Sequence, residues 1–263
     1  MSQSAEEITM AALKPARILH DDDLAGTNLE GLKAAPLRAR RLTAVYVYEA
    51  PVRLWHWINA ASIVVLAITG YLIGSPPSTL AGEASAHFQM GWIRYLHFAA
   101  AWIFAVGFTG RVIWAFFGNV YSRELFYIPF WSLAYWRELF DEMLVYAFIK
   151  KHARKVVGHN ALARFSLFFC FTLAGLFMLA TGFALYSDGT GIDSWEGRLF
   201  GWIMPLLGGN LATHFWHHIG MWVILLFIMF HVYTVTREDI TSRQTLISAM
   251  INGYRSFRDD ARD

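Results

Sequence analysis

The residues in this chain best placed to do chemistry are histidines, and the ones that matter stand at the ends of apolar runs. The stretch His214-Phe-Trp-His217-His218-Ile, continuing through apolar residues to His231, carries them at both ends of one segment. A helix rises about 1.5 Å and turns about 100° per residue. His217 and His231 therefore lie about 21 Å apart along the axis and within roughly 40° of one face. His218 and His231 fall on nearly opposite faces, and His214 is out of register with His231 by roughly a quarter turn. Neutral imidazole is a common metal ligand. Two imidazoles on one stripe, one near each end, suit a helix that ligates two stacked cofactors.

The elements that must position these residues are membrane helices. Of the 263 residues, 56% are hydrophobic and 16% charged, whereas ordinary soluble domains carry about 25% charge. Four apolar segments, roughly 55–73, 95–117, 163–186 and 213–235, approach the length of about 20 residues that spans a bilayer. Basic residues cluster before the first segment (Arg38, Arg40, Arg41, Arg53), between the second and third (from Arg123 to Lys155) and after the fourth (Arg237 onward). The loop 76–94 has only Arg94, and 187–212 has Arg198 against Asp188, Asp193 and Glu196. By the positive-inside rule both termini are cytoplasmic. Residues 1–43 form a polar cytoplasmic tail, without the apolar core of a cleaved signal peptide; residues 44–240 are the membrane domain, and 241–263 a second cytoplasmic tail. The segment 126–149 is apolar and aromatic, but Arg137, Glu138, Asp141 and Glu142 interrupt it. Each such charge at mid-membrane costs on the order of 2.5–3.5 kcal/mol, so an amphipathic helix on the cytoplasmic surface is expected. Residues 195–207 suit a similar interfacial segment, or a docking surface, on the outer side. The single cysteine, Cys170, excludes disulfides, cysteine-ligated iron–sulfur clusters and covalent c-type haem attachment. Nothing suggests a nucleic-acid partner.

Orientation pairs the span-end histidines. A lone histidine at such a position is ordinarily an interfacial residue or a cap. The first span enters from the cytoplasm, placing His56 at the inner level, and the second enters from outside, placing His97 at the outer level. The fourth also enters from outside, with His217 outer and His231 inner. One inner pair, His56 with His231, and one outer pair, His97 with His217, are what two b-type haems in a four-helix bundle require. His218 is the alternative to His217, and His214 belongs at the outer surface, near a propionate or a partner. His20, His87, His152 and His159 lie in loops or polar context, as surface residues. Two more positions share the fourteen-residue step. Gly70 stands on the stripe of His56 at the outer level, where it either admits a porphyrin edge or serves helix packing. Arg111 stands on the stripe of His97 near the inner level, where it either pairs with a haem propionate or snorkels to the headgroups. The third span supplies no ligand, and Gly175 and Gly182 there can serve packing alone.

At this point the residues resemble a known family, the b-type cytochrome subunits of membrane-bound nickel–iron uptake hydrogenases. Arg53-Leu-Trp-His56-Trp57, running on to Gly70, looks like that family's first signature. His214-Phe-Trp-His217-His218-Ile, followed by Trp222 and His231, looks like its second. The similarity covers about 43–240. The broader set, including formate dehydrogenase gamma subunits, shares the four-helix di-haem plan. The resemblance implies an all-α protein of the bacterial inner membrane that anchors a periplasm-facing nickel–iron hydrogenase. It implies electrons passing from the iron–sulfur small subunit, and through it the large subunit, to two haem b groups. His97 and His217 would hold the outer haem, His56 and His231 the inner one, and quinone would be the acceptor near the cytoplasmic surface. The chain would be an electron-transfer subunit with quinone reduction as its only redox step. The rival readings are the equivalent subunit of a formate dehydrogenase or other reductase, and a haem-free membrane anchor.

Overall fold

The computed structural model describes residues 42–78, 81–83, 87–150, 156–242 and 245–258. Two compact units divide these residues, one comprising 50–233, the other 42–49 with 234–258. The larger unit is built on four long helices, each apolar and long enough to cross a membrane. They are α1 (Ala50–Gly74), α2 (Gln89–Phe117), α4 (Ala161–Thr190) and α7 (Asn210–Ser242), whose residues from Thr234 onward belong to the smaller unit. Each is longer than its apolar run because polar residues cap or extend the ends. Pro51 starts α1 in the first turn, where its missing N–H has no partner to lose. The side chain of Asn160 accepts from the Ala163 N–H at 2.8 Å and starts α4. Within α4, residues Leu167–Leu173 widen into a π-helical turn. There the Thr172 hydroxyl leaves the helix ladder and donates to the Leu125 carbonyl at 3.2 Å. Large apolar side chains such as Val64, Val106, Leu226 and Phe230 face outward. In water such a surface would be an aggregation liability; on four spanning helices it is a lipid-facing one.

The histidine register reappears in the core. The main buried cluster contains Ile63, Phe104, Phe108, Leu125, Phe171 and Ile224. Ile63 stands midway between His56 and Gly70, Phe104 midway between His97 and Arg111, and Ile224 midway between His217 and His231. Seven residues are nearly two helical turns, about 10.5 Å. Three of the four long helices thus repeat one arrangement, a polar or small position, an apolar one, then a polar or small one again. The middle layers meet as a single apolar floor between two histidine levels.

Two sequence expectations are refined here. The segment 126–149 is helical only over α3 (Leu133–Tyr146). Pro129 and the cap at Ser132, which accepts from the Tyr135 N–H at 3.3 Å, hold the preceding residues out of the helix. Its apolar side, Tyr135 and Leu139, packs against Ile128 and Ala161, and Glu142 is buried rather than solvated. The segment 195–207 is two short helices, α5 (Trp195–Phe200) and α6 (Ile203–Leu207). His159, expected as a surface residue, is half-buried and its Nδ1 lies 2.8 Å from Glu124 Oε2. His87 is exposed; His20 and His152 lie outside the described residues.

The smaller unit was not anticipated. Strand β1 (Leu42–Tyr46) pairs antiparallel with β2 (Tyr254–Arg258), Tyr46 opposite Tyr254, and the helix α8 (Leu246–Asn252) leads into β2. Gly253 makes the turn at φ +88°, and its carbonyl accepts from the Val47 and Tyr48 N–H groups at 2.9 and 3.2 Å. A Cβ there would come within 2.6 Å of the Tyr46 ring and of the Tyr48 carbonyl. Only glycine fits.

Candidate functional site

His97 and His217 come from different helices and line one cavity of about 890 Å³. Its floor is Ile63, Phe104 and Ile224, and its walls are apolar. That is the size and polarity of a pocket for a flat organic cofactor. Each imidazole is seated in the same way, by a Thr-Gly pair from a neighbouring helix. On α1, the Thr69 hydroxyl donates to the Val65 carbonyl at 2.6 Å and lies 2.9 Å from His97 Nδ1. On α4, the Thr181 hydroxyl donates to the Phe177 carbonyl at 2.7 Å and lies 2.8 Å from His217 Nδ1. With its proton committed to the backbone, each hydroxyl oxygen is left to accept. Nδ1 is then the protonated nitrogen, and Nε2 carries the lone pair that a metal needs.

The glycine that follows each threonine leaves room for the ring. A Cβ at Gly70 would stand 3.3 Å from His97 Cε1, and one at Gly182 would stand 3.3 Å from His217 Cε1. Gly70 lines the cavity, and what it approaches most closely is the imidazole itself. Gly175 meets only Phe104 and Phe108, which is packing. His218 lines the same cavity, with its ring against Gly74, where a Cβ would be 3.1 Å from Cε1. It stands edge-on to Trp222, 6.1 Å between ring centres. His214 is exposed and turns its Nδ1 to its own helix, 3.1 Å from the Asn210 carbonyl. Together with Arg94 it lines the cavity at the helix ends.

At the other level, His56 on α1 and His231 on α7 face each other with ring centres 6.4 Å apart. A metal–imidazole bond is about 2.0–2.1 Å, and a ring centre lies about 1.1 Å behind its nitrogen, so two imidazoles that held one iron would stand roughly 6.2–6.4 Å apart. The observed separation fits that arrangement. His231 stacks on Phe227 at 5.6 Å. Among the described residues, His56 Nδ1 and Asn59 Oδ1 are buried with no hydrogen-bond partner, as polar atoms beside a binding site would be. Arg111 is 4% exposed, so it does not snorkel. Its Nη2 donates to the Ser122 carbonyl at 2.6 Å, and the guanidinium lies 5.5 Å from the Trp55 ring centre and 5.4 Å from that of Phe126.

The structure brings His97 together with His217 and His56 together with His231; sequence reasoning did not single out Thr69, Thr181 or the rim residue Arg94, and gave Gly182 only a packing role. A signal existed. Within the long helices Thr-Gly occurs at 69–70 and 181–182, near the same end of two spans that run in the same direction, and again at 109–110 in α2; a fourth pair, 190–191, closes α4.

A family model described as prokaryotic cytochrome b561 matches residues 47–253. A Cupriavidus necator protein named probable Ni/Fe-hydrogenase B-type cytochrome subunit is 53% identical over 237 residues, covering 90% of this chain and 96% of that protein. A protein of the same name from Rhizobium leguminosarum bv. viciae is 56% identical over 216 residues, 82% of this chain and 90% of that protein. The probable Ni/Fe-hydrogenase 1 B-type cytochrome subunit of Escherichia coli K12 is 44% identical over 219 residues, 81% of this chain and 91% of that protein. With a helical membrane bundle, two histidine pairs and a family match over most of its length, the chain belongs to the prokaryotic cytochrome b561 family.

Proposed function

We propose that this chain is the di-haem membrane subunit of a nickel–iron hydrogenase, with residues 44–240 as the haem-binding part and the tails 1–43 and 241–263 cytoplasmic. His97 and His217 hold the haem at the outer level, and His56 and His231 the one at the inner level. The observation that carries the reading is the double pairing. One pair stands at the separation two axial ligands need, and the other shares a haem-sized apolar cavity. Bound there, the two irons would supply one-electron redox chemistry between the hydrogenase small subunit, on the periplasmic side, and quinone near the inner face. The chain's own residues hold the axial imidazoles, exclude water with the floor of Ile63, Phe104 and Ile224, and place charge. Arg111, buried beside Trp55 and so close to the inner level, would balance haem carboxylates there. Gly70 keeps the outer imidazole seated. The hydrogenase partner follows from the names of the relatives, and the orientation from the distribution of basic residues.

The test is a pyridine haemochrome assay on the purified full chain. Two b-type haems per chain are expected, falling to one in His56→Ala, His97→Ala, His217→Ala and His231→Ala, and remaining two in His218→Ala. A wild type without haem would overturn the electron-transfer reading and leave a membrane anchor.

A further inference from the structure

The two histidine levels differ in one respect that bears on the direction of electron flow. At the His97/His217 level both imidazoles have a hydroxyl acceptor on Nδ1. Each hydroxyl is polarised by its own donation to an i−4 carbonyl, which makes its oxygen a better acceptor. At the other level His56 Nδ1 has no hydrogen-bond partner among the described residues, so at most one imidazole of that pair is assisted in this way. A hydrogen bond accepted from Nδ1–H leaves more electron density on Nε2 and raises the basicity of the ligand. A more basic axial ligand favours the oxidised iron.

We propose that Thr69 and Thr181 are positioning residues. They fix the Nδ1–H form of His97 and His217 and make this level the lower-potential one, so that an electron delivered here runs downhill to the His56/His231 level. The inference rests on the di-haem reading above. It also gives α4 a role, since that helix supplies no ligand yet tethers one through Thr181. Of the Thr-Gly pairs that lie inside the long helices, the third is a built-in comparison. Thr109 donates to the Ala105 carbonyl at 2.9 Å like the others, while a Cβ on Gly110 would meet nothing within 4 Å.

The experiment is a redox titration of the full chain in detergent, followed in the visible spectrum, for wild type, Thr69→Val, Thr181→Val, the double variant, Thr69→Ser with Thr181→Ser, and Thr109→Val. Valine keeps the shape and removes the acceptor. One of the two b-type transitions should move to higher potential in the valine variants. The expected shift is on the order of tenfold in the reduction equilibrium, 59 mV for one electron. The other transition should stay in place, with serine restoring the wild-type value and Thr109→Val leaving both unchanged. Unshifted potentials in haem-replete valine variants would overturn the proposal, as would equal movement of both transitions. Should the valine variants lose haem, nitrogen-15 histidine spectra of the reduced wild type decide instead. Two slowly exchanging Nδ1–H signals that persist in the serine variants support the tether, and their absence refutes it. A wild type without two haems refutes the di-haem reading, which is a separate and distinguishable result.

Discussion

Substituting alanine at the three glycines of the Thr-Gly pairs inside the long helices should give sharply different outcomes, because their surroundings differ by a single measurable gap. At Gly70 the added methyl would stand 3.3 Å from His97 Cε1 and 3.6 Å from Met221 Sδ; at Gly182 it would stand 3.3 Å from His217 Cε1; at Gly110 it would have nothing within 4 Å. Ordinary carbon contacts are about 3.5–4.0 Å, so at Gly70 and Gly182 the imidazole must yield by a few tenths of an ångström. It cannot do so freely, since Thr69 and Thr181 hold it from the Nδ1 side at 2.9 and 2.8 Å. Overpacking of this kind costs about 1–3 kcal/mol, and alanine in a helix returns up to about 1 kcal/mol relative to glycine. A net loss of about 1–2 kcal/mol, felt on the ligand, should speed haem loss roughly 5- to 30-fold in Gly70→Ala and Gly182→Ala. Gly110→Ala should lose haem no faster than wild type and should melt at the same or a higher temperature. The assay is the rate at which haem passes from the full chain in detergent to an excess of haem-free myoglobin, with thermal unfolding measured in parallel. Equal rates for all three variants would refute the seating of the imidazoles by glycine.

Other outcomes follow from particular contacts. Arg111→Leu removes a charge-assisted bond worth about 1.5–3 kcal/mol and two ring contacts worth about 0.5–1 kcal/mol each; unfolding in detergent should come at a clearly lower temperature, and Arg111→Lys should not restore it because lysine lacks the planar fork. Glu124→Gln weakens a carboxylate that accepts from both the His159 N–H at 3.0 Å and its ring, a loss of about 1–2 kcal/mol that faster proteolysis at 156–160 should reveal. Gly253→Ala should loosen β1 against β2, raising amide hydrogen exchange across Leu42–Tyr46, while the haem content of the chain stays at the wild-type value.

The parts of the fold that show in sequence are those set by one helix at a time. Length, apolarity and the fourteen-residue step are local, so the four spans and the stripe joining His217 to His231 could be read directly. The pairing of His56 with His231 needed only the direction of each span in addition. What stayed hidden depends on which helix lies beside which. Gly182 looked like a packing residue because its own helix carries no ligand; its role exists only where α4 meets His217. Arg111 offered two readings because its depth along α2 was legible but its partner, the carbonyl of Ser122, lies beyond a turn of the chain. The β1–β2 pair joins residues more than 200 positions apart, and strands of five residues are too short to carry a periodic signal strong enough to announce it.

The seven-residue repeat explains why the two levels can be tuned separately. Had the helices packed closely throughout, every side chain that touched one cofactor would press on the other. Instead Ile63, Phe104 and Ile224 form one buried layer with Phe108 and Phe171, about 10.5 Å of helix from the residues above and below it. Dense apolar packing of this kind has no polar group to relay a hydrogen bond and no room for water. A change in the Thr69 or Thr181 bond is therefore confined to the imidazole it touches. Phe104→Ala should break that isolation. It leaves a buried cavity costing about 3–5 kcal/mol at the junction of the two levels. A variant that still binds both haems should then show both potentials responding to Thr181→Val, where an intact floor lets only one respond.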